Sequence, residues 1–352
     1  AAVITEERFL TQGRHCEEFE RAFAELSGTA HAATVSSGTG ALEAVLRSIG
    51  VEGKDVVVPT NTFAATAFAI IHAGGRPVFA DCLDDLSLDP EDAERRLTRA
   101  CAALVCVHVG GWISPGVEAL QELAWRKGLP LVEDCAHAHG SRFRGKHAGS
   151  FGTAGAFSFF STKLMTTGEG GMIVTNNEDI YRYCKSAANQ GRSDNMQWLT
   201  HDKLGYNYRL DEMSCALGRV QLTRVEDFIR RRKEIAQHYC QDLQSCSRII
   251  LPKIRTENSS SWFVFPIRVA SSQRDALIKI LAERKIQSKA YFSPCIHLQP
   301  FYQQGFGFKE GDFPIAEKLS RETLILPLYP SLTAEEISKI TKTVKQIVEE
   351  WH

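Results

Sequence analysis

The stretch AFSFFSTKLMTTGEGGMIVTN, residues Ala156 to Asn176, decides how this chain is read. Ala156 to Phe160 alternates as a strand does, Gly171 to Thr175 reads as a second strand, and Gly168, Gly170 and Gly171 turn the chain between them. Lys163 stands at the junction, five residues after Ser158. A lysine there either reaches solvent or has chemical work to do.

Upstream of this stretch, short apolar runs alternate with amphipathic stretches closed by glycine. Strands are expected at His31 to Val35, Val56 to Val58, Val78 to Ala80, Ala103 to Val109 and Leu129 to Val132. Helices are expected at Glu17 to Leu26, Thr39 to Ile49, Ala64 to Ala73, Pro90 to Leu97 and Val117 to Lys127. Such alternation predicts right-handed βαβ units and a mostly parallel sheet covered on both faces, whose ligands bind beyond the carboxyl ends of the strands.

Downstream, the helical pattern from Asp211 to about Gln244 is expected to break in two. Trp262 to Val269 and Ser288 to Phe292 then read as strands around a helix at Arg274 to Lys285, and Leu319 to Leu324 and Ala334 to Trp351 read as helices. The expected organisation is a large α/β domain over 1–240 and a small C-terminal α+β domain over 241–352.

The bulk composition excludes several classes of function. With 352 residues, 43% hydrophobic and 24% charged, the chain can build large cores, and its formal net charge of -1 gives no field that favours nucleic acid or an anionic membrane. Arg230, Arg231, Arg232 and Lys233 follow Glu226 and Asp227 in a helical pattern and read as a solvated face. The ten cysteines form no CxxC and no Cys/His pair at zinc spacing, which fits reduced thiols in the cytoplasm and no metal site. No run is long and apolar enough for a membrane helix, and Ala1 to Leu10 has no signal-like apolar core.

Three strand ends carry residues that stand out as a set. Ser36, Ser37, Gly38, Thr39 and Gly40 lead from a strand into a helix N-terminus, where free N–H groups and hydroxyls suit a phosphate; an ordinary N-cap fits as well. Glu133 and Asp134 end an apolar strand, as a structural cap or as partner of a heteroaromatic nitrogen. Lys163 is the third, either snorkelling to water or buried and ready to lose its proton. Together a phosphate cradle, a carboxylate and an amine are the minimum needed to hold pyridoxal 5'-phosphate (PLP): anchor, keeper of the ring as an electron sink, and Schiff-base partner.

The motifs FERAFAELSG, SSGTGAL, VVVPTNTFAATA, PVFAD, EDCAHAHG, FSFFSTK, TTGEGGMIVT, LGYNYRLDE and IHLQPFY, in this order, resemble the DegT-type sugar aminotransferases of the fold-type-I, PLP-dependent class. The resemblance spans most of the chain. It implies a seven-stranded, mostly parallel sheet, with Lys163 as the Schiff-base lysine and Asp134 as the pyridinium partner. It also implies Gly38, Thr39 and Ser158 at the phosphate, Phe63 stacked on the cofactor ring and His137 near it. Asn207 would reach the phosphate of a second subunit, so a homodimer with shared sites is implied. The implied reaction is ping-pong transfer of an amino group from L-glutamate to a keto sugar, nucleotide-linked, through pyridoxamine 5'-phosphate (PMP). His297, Gln299 and Tyr302 are candidate pocket residues, with loop packing as their alternative.

Cys135 stands where the family has a small residue and Ser161 where it has proline. HVGGWISP, residues His108 to Pro115, replaces an HLYG-type segment. Sugar dehydratases of similar fold carry histidine in place of the lysine, so Lys163 argues against dehydration. A keto-cyclitol acceptor and a non-catalytic homologue remain as alternatives at this point.

Overall fold

The computed structural model describes residues 2–6, 9–193, 200–253 and 257–351. Its centre is a seven-stranded sheet in the spatial order His31–Val35, Gly171–Thr175, Ala154–Ser158, Leu131–Asp134, Cys101–Val107, Asp55–Pro59 and Arg76–Ala80. Gly171–Thr175 runs antiparallel to both its neighbours, and the other pairings are parallel. The connection at 159–170 holds no crossover helix, and the turn at Gly168 and Gly170, with φ values of 86° and 152°, brings the chain back antiparallel to the strand it leaves.

Helices cover both faces because the strands are apolar on both sides; Val56, Val57, Val58, Leu104 and Val105 have no exposed surface. One core packs helices Gly38–Ile49 and Ala64–His72 against the sheet, and another buries Phe19, Phe23, Phe157 and Phe159 beneath helix Arg14–Ser27. The sheet's carboxyl ends therefore open toward the turns at 36–40, 134–137 and 158–163.

The pattern read as one broken helix is two, Glu212–Leu222 and Val225–Leu243. The second joins two cores: Val225 and Ile229 pack with the sheet, while Ile235, Ala236, Tyr239 and Leu243 pack with C-terminal residues. The division expected at 240/241 thus falls inside a helix. The C-terminal core rests on a three-stranded antiparallel sheet in which Thr323–Leu326 lies between Phe265–Arg268 and Lys289–Ala290. Here the sequence reading needs correction. Leu319 to Leu324 is not one helix; helix Pro314–Glu322 ends and Thr323–Leu326 is the central strand. The apolar run TLIL satisfies either period when short, and sheet pairing decides it. Helix Glu178–Ala188, capped by Asn177, was not anticipated.

Candidate active site

The site assembles at the carboxyl ends of three strands. Ser37 caps helix Gly38–Ile49, its hydroxyl accepting from Gly40 N at 3.0 Å. The helix start lies directly against the end of strand Ala154–Ser158: a Cβ on Gly38 would stand 2.8 Å from Ser158 Cβ and 3.3 Å from the Phe157 carbonyl oxygen. Glycine is needed here for close approach. The contact brings the first-turn N–H groups at Gly38 and Thr39 beside the Ser158 hydroxyl, a combination suited to an anion.

Asp134, the last residue of its strand, is buried. Its Oδ2 accepts from the Thr66 hydroxyl at 2.8 Å and its Oδ1 from Ala136 N at 3.0 Å. Thr66 is held in turn by Thr62 at 2.8 Å. These donors hold the Asp134 side chain in one orientation and leave a lone pair on each oxygen for a ligand.

Lys163 is half-buried, with Nζ 5.0 Å from the centre of the Phe263 ring. Burial lowers the pKa of its amine below that of an ordinary lysine, and the Asp134 carboxylate pulls in the opposite direction. Phe263 also stacks on His137, centroids 4.0 Å apart and planes within 9°. Burial, with the Lys163 charge adding to it, pushes the His137 pKa well below the ordinary range and keeps the ring neutral; its Nδ1 is buried with no hydrogen-bond partner. His139, two residues on, is lowered to about 3 by the same causes. Phe63 is 65% exposed, one residue before helix Ala64–His72, which carries Thr66.

The match to the DegT/DnrJ/EryC1/StrS aminotransferase family runs over residues 1–345. The chain belongs to this family. It is 36% identical over 342 residues to a GDP-perosamine synthase of Escherichia coli O157:H7, covering 96% of this chain and 91% of the relative. It is 34% identical to a dTDP-3-amino-3,4,6-trideoxy-alpha-D-glucose transaminase of Streptomyces venezuelae, covering 99% and 91%. Among solved structures it is similar to S. venezuelae DesV in complex with a ketimine intermediate, with a TM-score of 0.94, 34% identity and coverage of 99% and 93%. The putative sugar aminotransferase Spr1654 from Streptococcus pneumoniae, similar with TM-scores of 0.91 and 0.90 at 28% identity and coverage of 99% and 95%, is solved in PLP and PMP forms. The chain is therefore a sugar aminotransferase of a PLP-dependent family, and the expected fold class, a mostly parallel α/β sheet, holds.

The residues present fit PLP. The approach at Gly38 and Ser158 offers a phosphate cradle, Asp134 a fixed carboxylate, and His137 a flat, neutral ring with an unpartnered nitrogen. Lys163 lies close enough to Asp134 for the carboxylate to act on its amine. Two other candidates need correction. His297 has no exposed surface, its Nδ1 lying 2.6 Å from the Thr60 hydroxyl and its Nε2 3.2 Å from Glu317. Tyr302 is equally buried, packed among Phe68, Phe79 and Phe301. Both tie the C-terminal part to the sheet, which is the packing role that was their alternative. Gln299 is partly exposed, and its amide donates to the Pro294 carbonyl at 3.2 Å. Asn207 is exposed, its backbone bridged to Asn189.

Glu133 and Asp134 divide the work at one strand end. Glu133 points to the other face of the sheet with no exposure, accepting from Gly149 N at 2.8 Å and Gly152 N at 2.6 Å and lying 2.8 Å from His108 Nε2. His108, Glu133 and Cys135 lie near enough together to ligate a metal, yet the carboxylate is already satisfied by hydrogen bonds. Thr66 and Phe263 are site residues that sequence reading did not single out. Thr66 lies within PTNTFAATA, where helical pattern masks a polar contact to a strand distant in sequence. Phe263 comes from a stretch of sequence 100 residues past Lys163, although it packs against the sheet core, and no local pattern shows that it turns toward Lys163.

Proposed function

We propose that this aminotransferase moves the amino group of L-glutamate to a nucleotide-linked keto sugar, using PLP at the cleft built by Gly38, Thr39, Asp134, His137, Ser158 and Lys163, with PMP as the amino-carrying form. The single observation that carries the reading is the amine of Lys163, its pKa lowered by burial, within electrostatic reach of a carboxylate fixed by Thr66 and Ala136. When bound, the cofactor supplies an electrophilic aldehyde and a ring that accepts electrons.

The protein's own groups divide the remaining tasks. The N–H groups of Gly38 and Thr39 and the Ser158 hydroxyl bind the phosphate. Asp134 holds a proton on the pyridine nitrogen. His137, a neutral ring held by Phe263, and the exposed Phe63 would pack against the cofactor. Lys163, with its lowered pKa, takes the proton from the donor's Cα and delivers it at the neighbouring carbon of the cofactor, and reverses this on the sugar.

Two further features belong to the proposal. A homodimer is supported by Met213, Leu217 and Val220, which expose one apolar stripe of helix Glu212–Leu222, together with exposed Phe9 and Leu204. Asn207, exposed nearby in sequence, would serve the partner's phosphate. A cytoplasmic location is supported by cysteines that are all unbridged. Among the described residues no helix is long and apolar enough to cross a membrane.

The test is the absorbance spectrum of protein loaded with PLP, before and after L-glutamate. A shift to the PMP spectrum is expected in the native protein. Lys163→Ala is expected to keep its fold by circular dichroism and lose the shift and all turnover. Retained turnover in that variant would overturn the assignment of Lys163.

A further inference from the structure

A cleft of about 790 Å³ lies between the sheet's outer turns and the C-terminal part, and no residue assigned above to the cofactor lines it. The turn at 108–115 and the segment at 260–263 form the partition. Phe263 N donates to Gly110 O and Ser261 N to Gly111 O, both at 3.0 Å, and the Ser261 hydroxyl donates to His137 O at 2.6 Å. Phe263 faces His137 and Lys163, whereas its neighbour Trp262 lines the separate cleft with Trp112, the two indoles 6.4 Å apart and inclined at 57°.

The charges in this cleft are unbalanced. Lys233, Lys253, Arg268 and Lys318 line it, against Asp84 and Asp85. Both acids are engaged: Asp85 accepts from Ser114 at 3.0 Å and also from Ser87, and Asp84 pairs with Arg268 at 3.5 Å. Arg268 is also held by Glu322 at 3.1 Å. Lys233, Lys253 and Lys318 have no carboxylate within ion-pair distance among the described residues. Three unpaired ammonium groups around an indole-walled space of ligand size match a flat ring that carries phosphates.

We propose that this cleft is a second small-molecule site, which takes a nucleoside diphosphate: the base on the indoles, the phosphates among Lys233, Lys253 and Lys318. It is separate from the catalytic cleft and independent of which sugar is aminated. Since the partition carries His137 contacts on one side and the indoles on the other, occupancy here bears directly on the wall of the cofactor site.

The experiment titrates GDP and dTDP into PLP-loaded protein and follows tryptophan fluorescence. The expected result is saturable quenching whose apparent Kd rises roughly tenfold or more in Lys233→Glu/Lys318→Glu, from loss of charge-assisted contacts. The absorbance response to L-glutamate should be unchanged in that variant. If the charge reversal disturbs folding, Lys233→Gln/Lys318→Gln replaces it, with a smaller rise expected. Quenching of equal affinity in native and variant proteins would place the nucleotide elsewhere, in the catalytic cleft included, and overturn the proposal. So would the absence of saturable quenching at millimolar nucleotide.

Discussion

Replacing His139 by leucine tests the low-polarity environment on which Lys163 depends. Its ring is fully buried near Phe157 and Phe159, and neither nitrogen has a hydrogen-bond partner among the described residues. Burial and the nearby Lys163 charge hold its pKa at about 3, against an ordinary value of 6.5. A depressed folded pKa means that the unfolded chain takes up the proton first. Stability tied to neutral His139 is therefore complete above pH 6.5 and is lost as pH falls from 6.5 toward 3. Linkage over these two values gives a loss of about 2 kcal/mol between pH 7 and pH 5. Spread over an unfolding entropy of roughly 2.1 cal/mol/K per residue, that is about 3 °C in Tm for a chain of 352 residues. The assay is calorimetry of native and His139→Leu protein, both saturated with PLP, at the two pH values. Leucine has a volume close to that of histidine and cannot titrate, so its Tm should fall by about 3 °C less. An equal fall in the two proteins would show that His139 is not held neutral, and would remove the argument that this pocket disfavours cations.

Two substitutions address the other arms of the site. Asp134→Asn keeps the size of the side chain and a carbonyl oxygen for Thr66 but removes the charge; losing a charged hydrogen bond of about 1.5–3 kcal/mol should lower kcat by roughly 10- to 150-fold, with PLP still bound. Steady-state transamination beside a PLP absorbance titration separates the two effects, and an unchanged kcat would refute the role. Gly38→Ala places a methyl 2.8 Å from Ser158 Cβ, so a cost of about 1–3 kcal/mol is expected in stability and in PLP affinity. Gly305→Ala, which meets no atom within 4 Å, is the control and should leave PLP binding as it is.

The large sheet was legible because its elements are local and uniform. Runs such as Val56, Val57 and Val58 are apolar on both faces, and helices lie between them, two of which are closed by Gly50 at φ 78° and Gly128 at φ 63°. The C-terminal part was less legible because its central strand is four residues long and follows a helix with no breaker between, so only pairing with Phe265–Arg268 and Lys289–Ala290 makes it a strand. Asp134 and Ser158 stand out because each ends a buried strand, Lys163 because it follows the same strand as Ser158, and Gly38 because it opens the helix after another; the roles at a phosphate came from the family resemblance.

The residues that misled or escaped notice have a common physical feature. His297 and Tyr302 carry polar atoms and lie in a polar-looking segment, so they read as pocket residues. His297 is instead absorbed by Thr60 and Glu317, and Tyr302 by aromatic neighbours. Phe263 carries no polar atom, so it reads as core, yet it is the ring against which His137 stacks and over which Lys163 lies. Each has a deciding partner distant in sequence: Thr60 for His297, Phe79 for Tyr302, and His137 for Phe263. Phe263 and Trp262 show the consequence most plainly: adjacent in sequence and similar in kind, one turns to the catalytic cleft and the other to the indole-walled one. The positive φ of 49° at Trp262 is what parts them, a backbone state that an aromatic residue adopts only when the surrounding contacts hold it there. Those contacts come from Gly110 and Gly111, whose own φ values of 71° and 94° let the 108–115 turn lie flat against the segment. The HVGGWISP segment, through Gly110 and Gly111, is thus the wall that parts the side of His137 from the side of the indoles.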